Sequence, residues 1–229
     1  MCHATCIDFV KSHLNQKDVN GKSVLDVGAC DVNGTVRPVI SDMNPSCYIG
    51  VDIEMGKGVD IICSAEELIK RFGKDAFDIV ISTEMLEHVR DWKKVVSNLK
   101  NVIKPNGLLI ITTRSKGYKY HGCPYDYWRF EIDDFRDIFC DLEIESLESD
   151  LLLPGVFLKA KKSGEFNEKK LKSKSLYSMI TNSNKTKLSL FDILLLRVRY
   201  YINSNSVLVK IIPSNVKIFL KNLYFYLRK

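Results

Sequence analysis

The stretch SVLDVGACDVNG, residues 23–34, decides the fold of this chain. Its apolar first half predicts a buried β-strand that ends at Gly28, and a short helix is predicted over residues 33–42. Glycine lets a backbone approach a ligand closely, and free N–H groups at the start of a helix attract anions. Cys30 stands where a dinucleotide-binding G-x-G-x-x-G loop has its second glycine, which argues against a pyrophosphate ligand. The stretch therefore predicts a ligand-binding loop; the alternative is a glycine that only ends a strand.

Outward from this stretch, strand and helix patterns alternate through residue 161. Further strands are predicted over residues 47–52, 59–62, 77–82, 108–113, 142–147 and 155–161, and helices over residues 64–72, 92–103 and 132–139. Strands separated by helices are typical of βαβ units. We therefore expect an α/β fold with a doubly wound, mostly parallel sheet.

An acidic residue ends the second of these strands. Asp52 follows Gly28 by 24 residues. A carboxylate at about this distance from a glycine loop can accept hydrogen bonds from both hydroxyls of a ribose. The alternative for Asp52 is a helix cap or a surface carboxylate.

Charge divides the chain into two parts. Residues 151–229 hold 16 basic and 3 acidic residues, a net charge of +13, whereas residues 1–150 carry −7. We expect a catalytic domain over residues 1–162, a polar linker over 163–175 and a basic helical extension over 176–229. Apolar residues recur every three or four positions in 213–228, which predicts an amphipathic helix.

The basic extension has three candidate partners. Aromatic and basic residues together favour an anionic membrane surface, bound through residues 176–229. Packing on the catalytic domain or in a homodimer is the alternative. Nucleic acid is the least favoured partner, because no RNA-binding motif accompanies the charge.

The cysteines and the N-terminus indicate the compartment. The seven cysteines are scattered, which fits reduced thiols in a cytoplasmic protein, peripheral at the membrane if the extension binds there. Residues 1–11 lack the pattern of a signal peptide, and residues 188–202 are too short and too charged to span a membrane. Cys2, His3 and Cys6 form only a loose cluster without a second cysteine pair, so no metal is expected.

Several segments, in the same order along the chain, resemble one enzyme family. Residues 24–28 resemble motif I of class I S-adenosylmethionine (SAM) dependent methyltransferases, of the type 11-like kind. Residues 50–53 resemble the acidic motif of the second strand in this family, and 77–82, 86–89 and 99–110 resemble the elements that close the site. The DVNG loop at 31–34 with Arg37-Pro38, and the HGxPYDYWRF segment at 121–130, are similar to a subgroup associated with sugar or cell-surface glycan modification. The resemblance covers residues 22–160 and implies a Rossmann-like sheet.

The resemblance also implies which residues hold the cofactor, SAM. Asp26, Gly28 and the loop that follows would surround the methionine portion, Asp52 would bind the ribose, and other residues would meet the adenine or the sulfonium end. The implied cofactor residues are Asp26, Gly28, Ala29, Asp31, Asn33, Asp52, Ile53, Ser64, Ala65, Thr83 and Glu84.

Residues after the fourth and fifth strands are candidates for the acceptor side. A hydroxyl acceptor benefits from a base, and His88, His121 and Asp126 are the candidates. Tyr125, Trp128 and Arg129 follow the carboxyl end of a strand, where open α/β sheets bind ligands. The alternatives are a structural hydrogen bond for His88 and a rigid lid packed on the core for residues 121–130.

The expected function is methyl transfer from SAM to a hydroxyl or amine of a small polar acceptor, such as a sugar or a glycan precursor. Two alternatives stay open. One is a non-catalytic SAM-fold binding or scaffold protein that uses its basic extension, and the other is an RNA methyltransferase.

Overall fold

A seven-stranded sheet organises the chain. The computed structural model describes residues 3–122, 125–194 and 196. The sheet has the order β3-β2-β1-β4-β5-β8-β7, in which the first five strands are parallel and β8 runs antiparallel to both neighbours. The strands are β1 (Ser23–Val27), β2 (Cys47–Asp52), β3 (Ile61–Ile62), β4 (Phe77–Thr83), β5 (Ile103–Arg114), β7 (Glu143–Ser149) and β8 (Gly155–Lys161). The expected doubly wound, mostly parallel sheet is confirmed.

Helices cover both faces of this sheet. They are α1 (Ala4–His13), α2 (Gln16–Val19), α3 (Arg37–Ser41), α4 (Leu68–Phe72), α5 (Trp92–Val102) and α6 (Ile132–Ile138). On one face α1 to α3 bury Phe9, Val10 and Ile40 against the sheet. On the other face α4 to α6 form the larger core around Leu68, Leu99 and Phe135. Sheet side chains therefore face two apolar layers, which explains why the parallel strands are almost continuously hydrophobic.

Three predicted elements differ from the observed ones. Residues 33–36 form a loop instead of the start of a helix, because Asp31 Oδ1 accepts from Gly34 N and Gly34 has φ 140°. The helix predicted over 64–72 is split into a 3₁₀ helix, Ala65–Glu67, and α4. β5 begins five residues early, at Ile103, with Asn106 in the left-handed region at φ 63°.

Residues beyond the sheet domain continue to contact it. A second sheet has the order β10-β9-β6 and consists of Trp128–Arg129 (β6), Leu176–Ser178 (β9) and Ser183–Lys185 (β10). Phe166 and Leu171, in the predicted linker, pack against the main core. The division at residue 162 stays a prediction, although the described part of residues 163–185 packs on the sheet domain.

The predicted amphipathic helix over 213–228 lies outside the described residues. Among the described residues, no helix is both long enough and apolar enough to cross a membrane.

Candidate functional site

A cavity of about 460 Å³ opens at the carboxyl ends of β1, β2 and β4. The chain order of the sheet reverses between β1 and β4, and such a switch point is where open α/β sheets bind ligands. The lining residues come from the loops after these strands and from the segment before β6. They are Val27, Gly28, Cys30, Val32, Asp52, Ile53, Glu54, Cys63, Ser64, Ala65, Glu66, Glu84, Met85, His88, Val89, Arg90, Tyr125 and Tyr127.

Gly28 lets two loops meet at the floor of this cavity. Its φ is 84°, and a Cβ at this position would lie 2.7 Å from Cβ of Met85. A larger residue would push the turn after β4 away from the loop after β1, besides adopting a strained backbone. Gly28 N donates to Val51 O at 2.9 Å, which ties the loop to β2. The predicted role of Gly28 as a close-approach glycine stays a prediction that this geometry supports.

Asp52 is held at one end of the cavity by backbone hydrogen bonds. Its Oδ2 accepts from Cys30 N at 3.1 Å and its Oδ1 from Ile53 N at 2.7 Å. Each carboxylate oxygen keeps a second lone pair, so this arrangement can still accept two hydroxyls from a ligand. Ile53, Ser64 and Ala65 line the same end. The predicted contacts of these residues with a ribose and an adenine stay predictions.

Asp26 lines a separate narrow cleft with Gly28, Ala29 and Thr83, and this cleft shares Gly28 with the cavity. The carboxylate is buried, its Oδ2 accepts from the Tyr48 hydroxyl at 2.5 Å, and its Oδ1 has no hydrogen-bond partner among the described residues. Burial raises the pKa of Asp26 to about 6, against the opposing effect of the Tyr48 hydrogen bond. A buried carboxylate oxygen without a partner is costly, and a cationic ligand group would satisfy it.

Replacing Asp26 with asparagine should stabilise the unliganded protein at pH 7, by roughly 2–3 kcal/mol. Between pH 4 and 6 the unfolded chain releases the Asp26 proton while the folded chain keeps it. The unfolding free energy of the wild type therefore falls as pH rises through this window, and the variant lacks this fall. Urea denaturation at pH 7 and pH 4 measures the difference, which should shrink at the lower pH.

Asp78→Asn is the matched control for this prediction and should have the opposite sign. Burial raises the pKa of Asp78, but Lys104 and Ser23 outweigh it and lower this pKa to about 2, so its charge stabilises the fold at neutral pH. Equal effects of the two substitutions would contradict the assignment of Asp26.

Other predicted cofactor residues take different positions. Glu84 lines the cavity with φ 51° and pairs with Arg114 and, at 3.6 Å, with His3. Asp31 instead pairs with Lys57 at 2.7 Å, and Asn33 is exposed. Neither Asp31 nor Asn33 is among the lining residues, so the structure does not bring these two to the site.

His88 stands on the acceptor side of the cavity, beside Met85, Val89, Tyr125 and Tyr127. Its Nδ1 lies 2.7 Å from Tyr125 O, so Nδ1 carries the proton and donates it. Its Nε2 is then the basic nitrogen, and it is buried without a partner among the described residues. The Nε2 atom of His88 is therefore placed to accept a proton.

His121 lies next to His88 and does not line the cavity. The two rings meet edge to face with centroids 4.7 Å apart. His121 Nδ1 lies 3.0 Å from Asp126 Oδ2, and Nε2 lies 3.6 Å from Glu87 Oε1. Burial lowers the pKa of His121, but the carboxylates of Asp126 and Glu87 outweigh it and raise this pKa to about 9.

Three predicted site residues of the 121–130 segment lie away from the cavity. Asp126, Trp128 and Arg129 are fully buried, and none of them lines the cavity. Burial raises the pKa of Asp126, but Arg129 and His121 outweigh it and hold this pKa far below its usual range, so Asp126 is unsuited to act as a base. In this structure none of these three side chains reaches the cavity, and their predicted roles toward an acceptor stay predictions that this geometry does not support.

These buried residues position the loop instead. Arg129 Nη2 donates to Asp126 Oδ2 at 2.7 Å and to Lys119 O at 3.1 Å. Trp128 Nε1 donates to Val89 O at 3.0 Å. Of the three predicted acceptor contacts, only Tyr125 lines the cavity.

No site role was predicted from the sequence for Glu87, Met85 and Tyr127. Glu87 is fully buried and accepts from Thr113 Oγ1 at 2.8 Å, and Met85 and Tyr127 line the cavity. The Leu-Glu-His triplet at 86–88 was the signal for Glu87, since a charged residue in an apolar turn needs a partner.

Comparisons with known proteins agree with this geometry. A family model described as a methyltransferase domain matches residues 3–149. The ubiquinone biosynthesis O-methyltransferase of Chromobacterium violaceum is 29% identical over 126 residues, which are 49% of this chain and 52% of that protein. The chain thus spans about half the length of the curated relatives it matches.

Solved structures share the fold at low identity. The 1,6-didemethyltoxoflavin-N1-methyltransferase of Burkholderia thailandensis, solved with S-adenosylhomocysteine, has a TM-score of 0.56 at 14% identity and covers 70% of this chain and 77% of its own. The [4+2]-cyclase SpnF has a TM-score of 0.54 at 15% identity and covers 69% of this chain and 79% of its own. These likenesses show the fold, and the family match decides the membership: the chain belongs to the methyltransferase domain family.

Proposed function

We propose that this protein is a SAM-dependent O-methyltransferase that acts on a phenol-type hydroxyl of a small acceptor. One observation carries the cofactor assignment: Asp26 lines a narrow cleft and Asp52 lines the cavity, and Gly28 and Cys30 line both. Asp52 fits the ribose hydroxyls, and the partnerless Oδ1 of Asp26 fits the ammonium of the methionine portion. SAM, when bound, supplies a methyl group activated by its positive sulfur.

We assign to His88 the role of accepting the hydroxyl proton of the acceptor. The hydroxyl oxygen forms a bond to the methyl carbon while the carbon–sulfur bond breaks and its electron pair stays on sulfur. The hydroxyl proton passes to His88 Nε2, whose tautomer is fixed by the Tyr125 carbonyl. Positioning of the oxygen opposite the leaving sulfur is the main contribution of the surrounding residues.

The lining on the acceptor side supports a phenol-type acceptor. Met85, Val89, Tyr125 and Tyr127 present apolar and aromatic surface beside His88. The curated relative from C. violaceum is named for O-methylation in ubiquinone biosynthesis, which agrees with such an acceptor. The sugar acceptor expected from the sequence has less support, because Trp128 and Arg129 are buried.

The experiment uses labelled SAM and four acceptor classes: phenols, catechols, free sugars and a short RNA. Methylation of phenols or catechols is expected. Transfer only to sugars or to RNA would contradict the proposed acceptor. No transfer to any acceptor by a protein that binds SAM would favour the scaffold alternative.

Replacing His88 with asparagine should lower turnover by about 10²–10⁴-fold, because the substitution removes the basic nitrogen. Asparagine keeps a side-chain N–H that can donate to Tyr125 O, so the loop should stay in place. The affinity for S-adenosylhomocysteine should be unchanged, as measured by calorimetry. His13→Asn is the matched control, since His13 pairs with Glu148 and neither residue lines the cavity; turnover of the control should equal that of the wild type.

Location and further partners stay predictions. A cytoplasmic protein attached to an anionic membrane face through residues 176–229 remains our proposal, supported by the +13 charge of residues 151–229. Residues 197–229 lie outside the described part of the chain.

A further inference from the structure

Two imidazoles and one carboxylate converge beside the acceptor side of the cavity. Ligand atoms of Glu87, His88 and His121 all lie within 4.8 Å of one another. Glu87 Oε1 is 3.6 Å from His121 Nε2 and 4.0 Å from His88 Nε2. We propose that these three atoms bind a divalent transition-metal cation.

The contacts behind the three ligands orient them toward one point. His88 Nδ1 donates to Tyr125 O at 2.7 Å, and His121 Nδ1 faces Asp126 Oδ2 at 3.0 Å. Each imidazole therefore turns Nε2 toward Glu87. Histidines that bind metals are commonly held by a carbonyl or carboxylate on the other nitrogen.

The carboxylate is held in the same way. Thr113 Oγ1 donates to Glu87 Oε2 at 2.8 Å, which leaves Oε1 for the ion. Metal-binding carboxylates are themselves hydrogen-bonded in this manner.

Burial leaves two polar atoms of this cluster that a cation could bind. Glu87 is fully buried, and both its Oε1 and His88 Nε2 lack a hydrogen-bond partner among the described residues. A proton on His121 Nε2 is the competing occupant, because the carboxylates of Asp126 and Glu87 raise the pKa of His121 to about 9, and the ion has to displace this proton. An ion would satisfy both Glu87 and His88 at once, and it would compete with protons for the imidazoles.

The ligand types select the ion. Two imidazole nitrogens and one carboxylate favour zinc, iron(II), cobalt(II) or manganese(II) over magnesium or calcium. Ligands about 2.0–2.1 Å from zinc lie roughly 3.3 Å apart in a tetrahedron, so the observed 3.6 and 4.0 Å need only a small contraction. Three protein ligands leave an open position, and His88 connects the cluster to the cavity.

An open position beside the acceptor gives the ion a chemical use. A hydroxyl oxygen bound to it would lose its proton more readily, so the ion would replace the His88 imidazole as the activating group. This consequence rests on the proposed function, whereas the binding site itself does not.

The test uses the full chain without a histidine tag, freed of metal with a chelator and titrated with cobalt(II) alone. One equivalent should bind with a dissociation constant in the micromolar range or below, with visible d–d absorption and no thiolate charge-transfer band. His88→Asn, His121→Asn and Glu87→Gln should each weaken binding at least about 10-fold. The asparagines keep donors toward Tyr125 O and Asp126, and glutamine keeps an acceptor for Thr113. The control variant His13→Asn should bind cobalt as the wild type does.

Three results would overturn the proposal. They are no saturable cobalt binding by the folded wild type, binding that is unchanged in both His88→Asn and Glu87→Gln, and a thiolate band that assigns the ion to cysteine. If His121→Asn does not fold, the other two ligand variants decide. Cobalt binding requires no acceptor and no SAM, so failure here leaves the proposed methyl transfer to its own experiment.

Discussion

Replacing Arg129 with methionine should lower the free energy of unfolding by about 3–5 kcal/mol. Arg129 and Asp126 are both fully buried and paired, so the substitution removes the guanidinium partner of a buried carboxylate and leaves it with His121 as its remaining charged partner. It also removes the donors to the carbonyls of Tyr118 and Lys119, which hold the loop that carries His121. Urea denaturation followed by tryptophan fluorescence measures the change.

Arg136→Met is the matched control for this prediction. Arg136 also pairs with an aspartate three residues earlier, Asp133, but both side chains are largely exposed. Such a surface pair contributes about 0–1 kcal/mol. Equal losses of stability in the two variants would mean that the Arg129 pair is not buried as described, and would reopen its role as an acceptor contact.

Replacing Asp52 with alanine should weaken the binding of both SAM and S-adenosylhomocysteine by about 100-fold, or roughly 2.7 kcal/mol. The carboxylate is fixed by Cys30 N and Ile53 N, and the substitution removes two charged hydrogen bonds to the ribose. Asp42→Ala is the control, since Asp42 is an exposed carboxylate at the end of α3. Its affinity should stay within about threefold of the wild type, and an Asp52 variant within the same range would contradict the site.

The strands of the main sheet could be predicted because burial between two layers of helices gives each strand a short, continuous run of apolar residues. β2 and β8 occupy residues 47–52 and 155–161, as the apolar patterns predict. The order of Gly28 and Asp52 along the chain also sufficed to predict that the two line one cavity, since adjacent parallel strands end at the same edge.

The N-terminal helix was not predicted from the sequence. α1 buries Cys6, Phe9 and Val10, but its ten residues have no side-chain cap and no acidic residue in the first turn. Packing against Ile79, Ile110 and Phe157 of the sheet stabilises this helix, and such tertiary contacts leave little local signal.

The acceptor side was predicted less well because burial of charged residues is hard to read from sequence. Asp126 and Arg129 were expected to face a ligand, as charged residues in an irregular segment usually face solvent. In the structure they neutralise each other within the core, which only the spatial pairing reveals. No role was predicted for Glu87 for the same reason, because its hydrogen-bond partner Thr113 is 26 residues away along the chain.

We propose that the cavity at the carboxyl ends of β1, β2 and β4 binds SAM. Calorimetric titration of the wild-type protein with S-adenosylhomocysteine tests it most directly. We predict saturable binding of one equivalent of S-adenosylhomocysteine, and we predict that SAM competes for the same site. The affinity should be about 100-fold lower in Asp52→Ala. Absence of binding by the folded wild type, or binding of equal strength by the wild type and the Asp52 variant, would contradict the claim.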